Sequence, residues 1–275
     1  MASPLTRILS DLHYGDRASI LTSLTQLSPL FDGADQLLLN GDTLDTRPST
    51  TPDHTARLLA DIHAFFARSA PPATFLTGNH DPDIAATHSI ELADRTLFVT
   101  HGDALFDDLV PWSRDAPLAR QLVARELAAL PPNERQQLDP QLRALRRAAY
   151  ALPQRHQSER HGIRYLLGFL QDTVWPPSRV FRILRAWRDA PRRAADFLHR
   201  HALPARFFAM GHTHRLGIRH TRSGLIVLNT GSFCPPCAAG AIDVTPDRLV
   251  FRRIERRRGE FHLGATVAEF SLARR

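Results

Sequence analysis

The stretch A-T-F-L-T-G-N-H-D, residues 73–81, is a short apolar run that stops abruptly on a glycine and three polar side chains. Its first half has strand character, and the glycine that follows breaks the strand into a loop carrying Asn79, His80 and Asp81. The same pattern recurs outward in both directions. Residues 6–10 run into Asp11-Leu12-His13, and Q-L-L-L-N at 36–40 runs into Gly41-Asp42. Residues 96–100 end at His101-Gly102-Asp103, and residues 207–210 end at Gly211-His212-Thr213-His214. Between these strands, Leu21, Leu24, Leu27 and Leu30 recur at helical spacing. Residues 53–68 keep a helical period through Leu58, Leu59, Ile62, Phe65 and Phe66. Strands alternating with helices predict an α/β fold. In such sheets ligands bind beyond the carboxyl ends of the strands, so clusters spread over about 200 residues can meet at one point.

Between residues 104 and 205 the character changes. Helical stretches are predicted at 118–130, 139–151, 162–174, 178–190 and 193–201, punctuated by Pro131-Pro132, Pro153, Pro176-Pro177 and Pro191. Strand character returns at 225–229, 240–244 and 249–254, and the arginine-rich 250–261 is expected to finish the second sheet. The chain therefore reads as a single domain over 1–275 with a helical insertion at about 104–205.

The formal charge is +7, and every cation is an arginine. Guanidinium groups grip phosphate oxygens in a bidentate fork, which suits anionic substrates or surfaces. Lysine avoidance from a GC-rich genome accounts for the arginine count, though not for where the arginines sit. The sequence contains no uninterrupted apolar run long enough to span a bilayer. A cleaved secretory leader is not expected, because its removal would take Asp11 with it. Cys234 and Cys237, in C-P-P-C, follow a strand in a loop rather than opening a helix. They read as a structural or incidental pair in a reducing cytoplasm rather than a redox dithiol.

Singly, each polar cluster is weak: Asp-x-His is common, and a Gly-Asp pair usually just makes a turn. Five such clusters, each after an apolar strand, are a different matter. Asp11-x-His13, Gly41-Asp42, Gly78-Asn79-His80-Asp81, His101-Gly102 and Gly211-His212-Thr213-His214 together closely resemble the signature blocks of the calcineurin-like metallophosphoesterase superfamily. The resemblance covers about residues 6–103 and 206–254. It implies a β-sandwich of two mixed sheets flanked by helices, and a hydrolase that cleaves a phosphomonoester or phosphodiester.

By that resemblance Asp11, His13 and His214 hold one divalent ion, Asn79, His101 and His212 hold another, and Asp42 bridges both. Two ions roughly 3.5–4 Å apart clamp a phosphoryl group and generate a hydroxide that attacks phosphorus in line. The same resemblance makes His80 the acid that protonates the leaving group, with Asp81 holding its imidazole. A histidine suits that role because its ordinary pKa lies near neutrality. Asp103 is a further carboxylate able to orient His101. The Asp/His/Asn donor set fits Mn²⁺, Fe²⁺ or Zn²⁺ better than Ca²⁺; the family resemblance puts Mn²⁺ first.

The insertion bears on substrate and partners. Residues 141–201 carry 13 arginines against Glu159, Asp172, Asp189 and Asp196. Within 178–190, Val180, Phe181, Leu184 and Trp187 share one helical face and Arg182, Arg185 and Arg188 fall largely on another. Leu166, Leu167, Phe169, Leu170, Val174 and Trp175 add apolar surface just before. A basic amphipathic helix of this kind suits peripheral contact with an anionic membrane, on the inner face of which a cytoplasmic protein would sit, or cover for a lipid-like substrate. It equally suits an ordinary lid helix whose apolar face packs on the body and whose arginines are solvated. The placement of the insertion is also similar to the acyl-chain-binding cap of UDP-2,3-diacylglucosamine pyrophosphatases of lipid A synthesis. That subfamily typically carries arginine where this chain has His80, which points back to general phosphoester hydrolysis. Nucleic acid ranks low as a partner, since the aromatics are not interleaved with the arginines as a stacking platform. A scaffold that kept the fold without catalysis, as in the retromer subunit resembling phosphoesterases, would be expected to have lost some ligands or the acid histidine.

Overall fold

The computed structural model describes residues 4–48, 52–153 and 176–273. Eleven strands form two mixed sheets among the described residues. The first is ordered β11-β10-β9-β1-β2-β3, from β1 (Thr6–Leu9), β2 (Gln36–Asn40), β3 (Ala73–Leu76), β9 (Gly240–Val244), β10 (Arg248–Arg257) and β11 (Glu260–Ser271). The second is ordered β4-β5-β6-β8-β7, from β4 (Ser89–Leu92), β5 (Leu97–Thr100), β6 (Phe207–Met210), β7 (Gly217–His220) and β8 (Ile226–Asn229).

Alternation along the strands explains the layering. Side chains of a strand point alternately to opposite faces. Ile8, Leu38, Leu76, Val99, Phe207, Ala209 and Phe251 meet between the sheets in one buried cluster. Their neighbours Leu9, Leu37 and Leu39 point outward beneath the 3₁₀ helix Leu24–Leu30 and α1 (Pro52–Ser69). Phe98, Phe208, Met210 and Val227 point outward on the other side, into a cluster shared with α2 (Ala116–Ala128), α3 (Leu138–Tyr150) and α4 (Ser178–Arg200). Strands buried on both faces explain the near-continuous apolar runs. The helical insertion thus packs its own core onto the second sheet.

Three sequence expectations are corrected. Leu21, Leu24, Leu27 and Leu30 are all buried, but their three-residue spacing matches a 3₁₀ turn rather than an α-helix. The segments predicted at 178–190 and 193–201 are one continuous helix with Pro191 inside it. Proline removes one helical hydrogen bond. Ala186 and Ala190 before it, and Ala194, Phe197 and Leu198 after it, are buried and pin both halves to the same core. The arginine-rich 250–261 does not finish the second sheet: β10 pairs with β9 and β11 at the edge of the first. The helix expected at 162–174, and Leu166, Leu167, Phe169, Leu170, Val174 and Trp175, lie outside the described residues.

Candidate metal centre

β1, β2, β3, β5 and β6 deliver their polar loops to one place, where two groups of side chains converge: Asp11, His13 and His214, and Asp42, His101 and His212. In the first, the His214 Nε2 lies 3.1 Å from Asp11 Oδ1 and 3.2 Å from His13 Nε2. In the second, His101 Nε2 lies 3.2 Å from Asp42 Oδ2. That same Asp42 oxygen is 3.9 Å from His13 Nε2, so one carboxylate faces both groups. Asn79 is buried in the loop that follows β3.

Backbone strain marks the site. Asp11, His13, Asp42, His212 and His214 all hold φ between 46° and 61°. Each left-handed non-glycine residue costs about 1–3 kcal/mol and persists only where its surroundings impose it. The surroundings here are short polar contacts. The His212 N–H donates to Asp11 Oδ1 and Oδ2 (3.1 and 3.2 Å), and the His80 N–H donates to Asp42 Oδ1 (2.8 Å). Ser10 Oγ also donates to Asp11 Oδ2. The glycines of two motifs permit this closeness. A Cβ at Gly211 would stand 1.9 Å from Asp11 Oδ2, and one at Gly78 would stand 2.3 Å from Asp42 Oδ1.

Outer contacts aim the imidazoles. The His101 Nδ1 lies 3.0 Å from the Asn40 carbonyl, leaving Nε2 to face Asp42. The His212 Nε2 lies 2.9 Å from the Leu109 carbonyl, which holds the ring beside His101 and Asp42. Hydrogen bonds of this type fix the tautomer of a ligating histidine. Neither Asn40 nor Leu109 was expected from the sequence; Asn40 could have been flagged as the polar end of an apolar strand.

Electrostatics follow from burial and crowding. Burial pushes the His13 and His212 imidazoles down to about 4, so both are neutral donors at pH 7. Burial works the same way on His101, but Asp42 and Asp11 overcome it and hold its pKa well above the ordinary value. Burial also opposes the proton on His214, yet Asp11 and the Cys237 side chain push it up to about 10. Asp42 stays well below the usual carboxylate range because His101 and His80 outweigh its burial. Two carboxylates among crowded imidazoles form a donor set suited to cations.

The donor set fits a pair of divalent ions on a further observation. Asn79 Oδ1 is buried with no hydrogen-bond partner, although buried polar atoms are nearly always satisfied. It belongs to the second ion's expected ligands. Borderline metals accept this mixture of imidazole, carboxylate and carboxamide oxygen.

Two expected contacts are different in the structure. Asp81 does not hold the His80 imidazole. Its carboxylate accepts the backbone N–H groups of Gly78 (2.7 Å), Asp42 (2.9 Å) and Thr43 (2.6 Å), tying two ligand loops together. Burial, then the charge of Asp42, push its pKa up to about 7. The carboxylate beside His80 is Asp45: its Oδ2 lies 3.0 Å from His80 Nδ1. Arg47 completes the group, with Nη2 2.6 Å from Asp45 Oδ2 and 3.0 Å from His80 Nδ1. Burial would raise the Asp45 pKa, but Arg47 and His80 hold it far below the ordinary range. Asp103 likewise pairs with His88 Nε2 (3.1 Å) rather than with His101. His88 pulls its pKa down to about 2 against the effect of burial.

The two cysteines are free, Cys234 buried and Cys237 partly so. Cys237 interacts with His214, so the pair lies beside the first group of ligands.

The model of the family described as calcineurin-like phosphoesterase matches residues 6–216. No curated protein matches the chain. Among solved structures, a dimetal phosphatase from Danio rerio is 13% identical, with 96% of this chain and 99% of that one covered at a TM-score of 0.44. Vacuolar protein sorting 29 from Cryptosporidium parvum is 13% identical, with 98% of each chain covered at a TM-score of 0.43. Vps29 from Entamoeba histolytica, solved with Zn²⁺, is also 13% identical, with 98% and 99% covered at a TM-score of 0.39.

Proposed function

The chain belongs to the calcineurin-like phosphoesterase family, and from that premise we propose that it is a binuclear metal-dependent hydrolase of phosphomonoesters or phosphodiesters. The observation that carries this reading is the Asp42 carboxylate facing two separate groups of imidazoles at the ends of five strands. Asp11, His13 and His214 would hold one ion and Asn79, His101 and His212 the other, with Asp42 shared. Mn²⁺ is the proposed metal, and Fe²⁺ and Zn²⁺ fit the same donors. A bound pair supplies positive charge for the phosphoryl oxygens and acidifies a water molecule to serve as nucleophile near neutral pH.

The chain's own residues supply the remaining chemistry. His80 stands at the rim, its side chain 26% exposed, with its ring centroid 5.2 Å from that of His13. With Nδ1–H donated to Asp45, the His80 Nε2 is left to carry a proton to the departing oxygen. Arg47 holds Asp45 in position and keeps it ionised. Asp81 fixes the loops that present Asp42 and Asn79.

Hydrolysis of p-nitrophenyl phosphate and bis-p-nitrophenyl phosphate by Mn²⁺-loaded protein tests the reading. His80→Ala is expected to lower kcat by about 10²–10⁴-fold while metal content is unchanged. Loss of both ions in that variant would instead make His80 a ligand.

The site of action is proposed to be an anionic membrane surface. Among the described residues no helix is long and apolar enough to cross a membrane. Yet Phe181 is 71% exposed and Leu184 50%, on the first half of α4. Arg185 and Arg188 project beside them, each about three-quarters exposed. Apolar side chains flanked by arginines complement the interface of an anionic bilayer, where each cation adds about 1 kcal/mol. The protein is expected to float with phosphatidylglycerol vesicles at low salt, and Phe181→Asp/Leu184→Asp to stay in the soluble fraction. Wild-type protein that fails to float would refute this placement.

A further inference from the structure

Trp187 of helix α4 reaches the ligand loops. The Trp187 indole Nε1–H donates to the Thr213 carbonyl at 2.7 Å. The Arg215 guanidinium lies 5.2 Å from the centroid of the same ring. Thr213 stands between His212 and His214, and Arg215 follows His214 directly. Trp187 therefore grips the chain on both sides of His214, in a segment that contributes one histidine to each group of ligands.

That segment needs holding. His212 and His214 have φ of 61° and 55°, and two left-handed residues on either side of Thr213 are costly for L-residues. Other contacts secure the far side of Thr213: its Oγ1 accepts from Asn229 Nδ2 at 2.9 Å, and its N–H donates to the Gly211 carbonyl at 2.6 Å. The Thr213 carbonyl is held instead by the insertion. A second contact comes from the same quarter, since the Leu109 carbonyl that aims His212 also lies beyond residue 103. The insertion thus supplies outer contacts to the metal loops as well as cover for the sheet.

We propose that Trp187 is a positioning residue: by fixing the Thr213 peptide it sets the separation between His212 and His214, and so between the two ion sites. The inference rests on the binuclear reading above. An alternative role confined to packing predicts that the indole N–H is dispensable, because the ring alone would fill the space and accept Arg215.

Trp187→Phe removes the N–H and keeps an aromatic ring; Trp187→His keeps a ring N–H of smaller reach. Mn²⁺ titration by calorimetry, with electron paramagnetic resonance of the fully loaded protein, reads the consequence independently of turnover. Removing outer partners of metal ligands weakens binding by 10–100-fold, so Trp187→Phe is expected to bind Mn²⁺ about tenfold more weakly and to show altered coupling between the ions. Trp187→His is expected to recover part of both, with similar melting temperatures throughout. Wild-type affinity and an unchanged coupled spectrum in Trp187→Phe would overturn the proposal. So would equal losses in both variants that track a fall in melting temperature. Wild-type protein that binds fewer than two ions would overturn the binuclear reading itself.

Discussion

Asp42→Ala is expected to abolish phosphoester hydrolysis, by about a thousandfold or more in kcat/KM, and to leave the protein with at most one bound ion. Asp42 faces both groups: its Oδ2 is 3.2 Å from His101 Nε2 and 3.9 Å from His13 Nε2. Its other oxygen takes the His80 N–H at 2.8 Å, so the change also frees the proposed acid from its anchor. Single preorganised electrostatic groups are commonly worth about 10²–10³ in rate, and Asp42 serves two ions and one backbone contact at once. Metal analysis alongside turnover checks it. A variant with two ions and turnover within about tenfold of wild type would remove Asp42 from its bridging role.

Arg7→Met is expected to be the most destabilising change outside the site. Arg7 and Asp243 face each other across the β1–β9 pair with 3% and 7% of their side chains exposed. The guanidinium donates Nε to Asp243 Oδ1 at 2.6 Å and Nη2 to Oδ2 at 3.0 Å. Its Nη1 donates to the carbonyls of Leu30 (2.6 Å) and Asp32 (2.9 Å), which fasten the 3₁₀ helix to the sheet. Removing one partner of a buried pair costs about 3–5 kcal/mol, because the other charge stays buried alone. At about 2–4 °C per kcal/mol for a large domain, the melting temperature should fall by roughly 6–20 °C. Arg7→Met/Asp243→Leu should recover part of that loss, since no charge is then left buried alone while the Leu30 and Asp32 carbonyls still lose their donor. Thermal denaturation followed by circular dichroism separates the two variants.

Much of the site was legible in the sequence because its grammar is local. A strand buried on both faces is a short apolar run, and its end is where polar side chains begin. Hence Asp11, Asp42, Asn79, His101 and His212 could each be placed at a strand terminus, and β1, β2, β3, β5 and β6 end there. What escaped was set by contacts between distant segments. Adjacency suggested Asp81 as the partner of His80, but the loop turns Asp81 inward onto three N–H groups and brings Asp45 and Arg47 alongside instead. Asp103 and His88 meet only because β4 pairs with β5. Nothing in the local sequence of α4 indicates that Trp187 reaches Thr213.

The same distinction applies to the fold. In the long β10–β11 hairpin, β10 buries only Leu249 and Phe251 and is arginine-rich and part-exposed or exposed from Arg252 on, so its charge masked its pairing. Pro191 reads as a helix end, but its flanks are buried in one cluster and the helix continues through it. The short edge strands β4 and β7 carry no fully buried residue, and so lack the apolar run that marked their neighbours.

Titrating Mn²⁺ into metal-free protein while following bis-p-nitrophenyl phosphate hydrolysis bears most directly on the shared Asp42 site. Turnover is expected to appear only as the second ion binds and to saturate at two ions per chain. Saturation at one ion, or two tightly bound ions with no hydrolysis, would contradict a binuclear phosphoesterase.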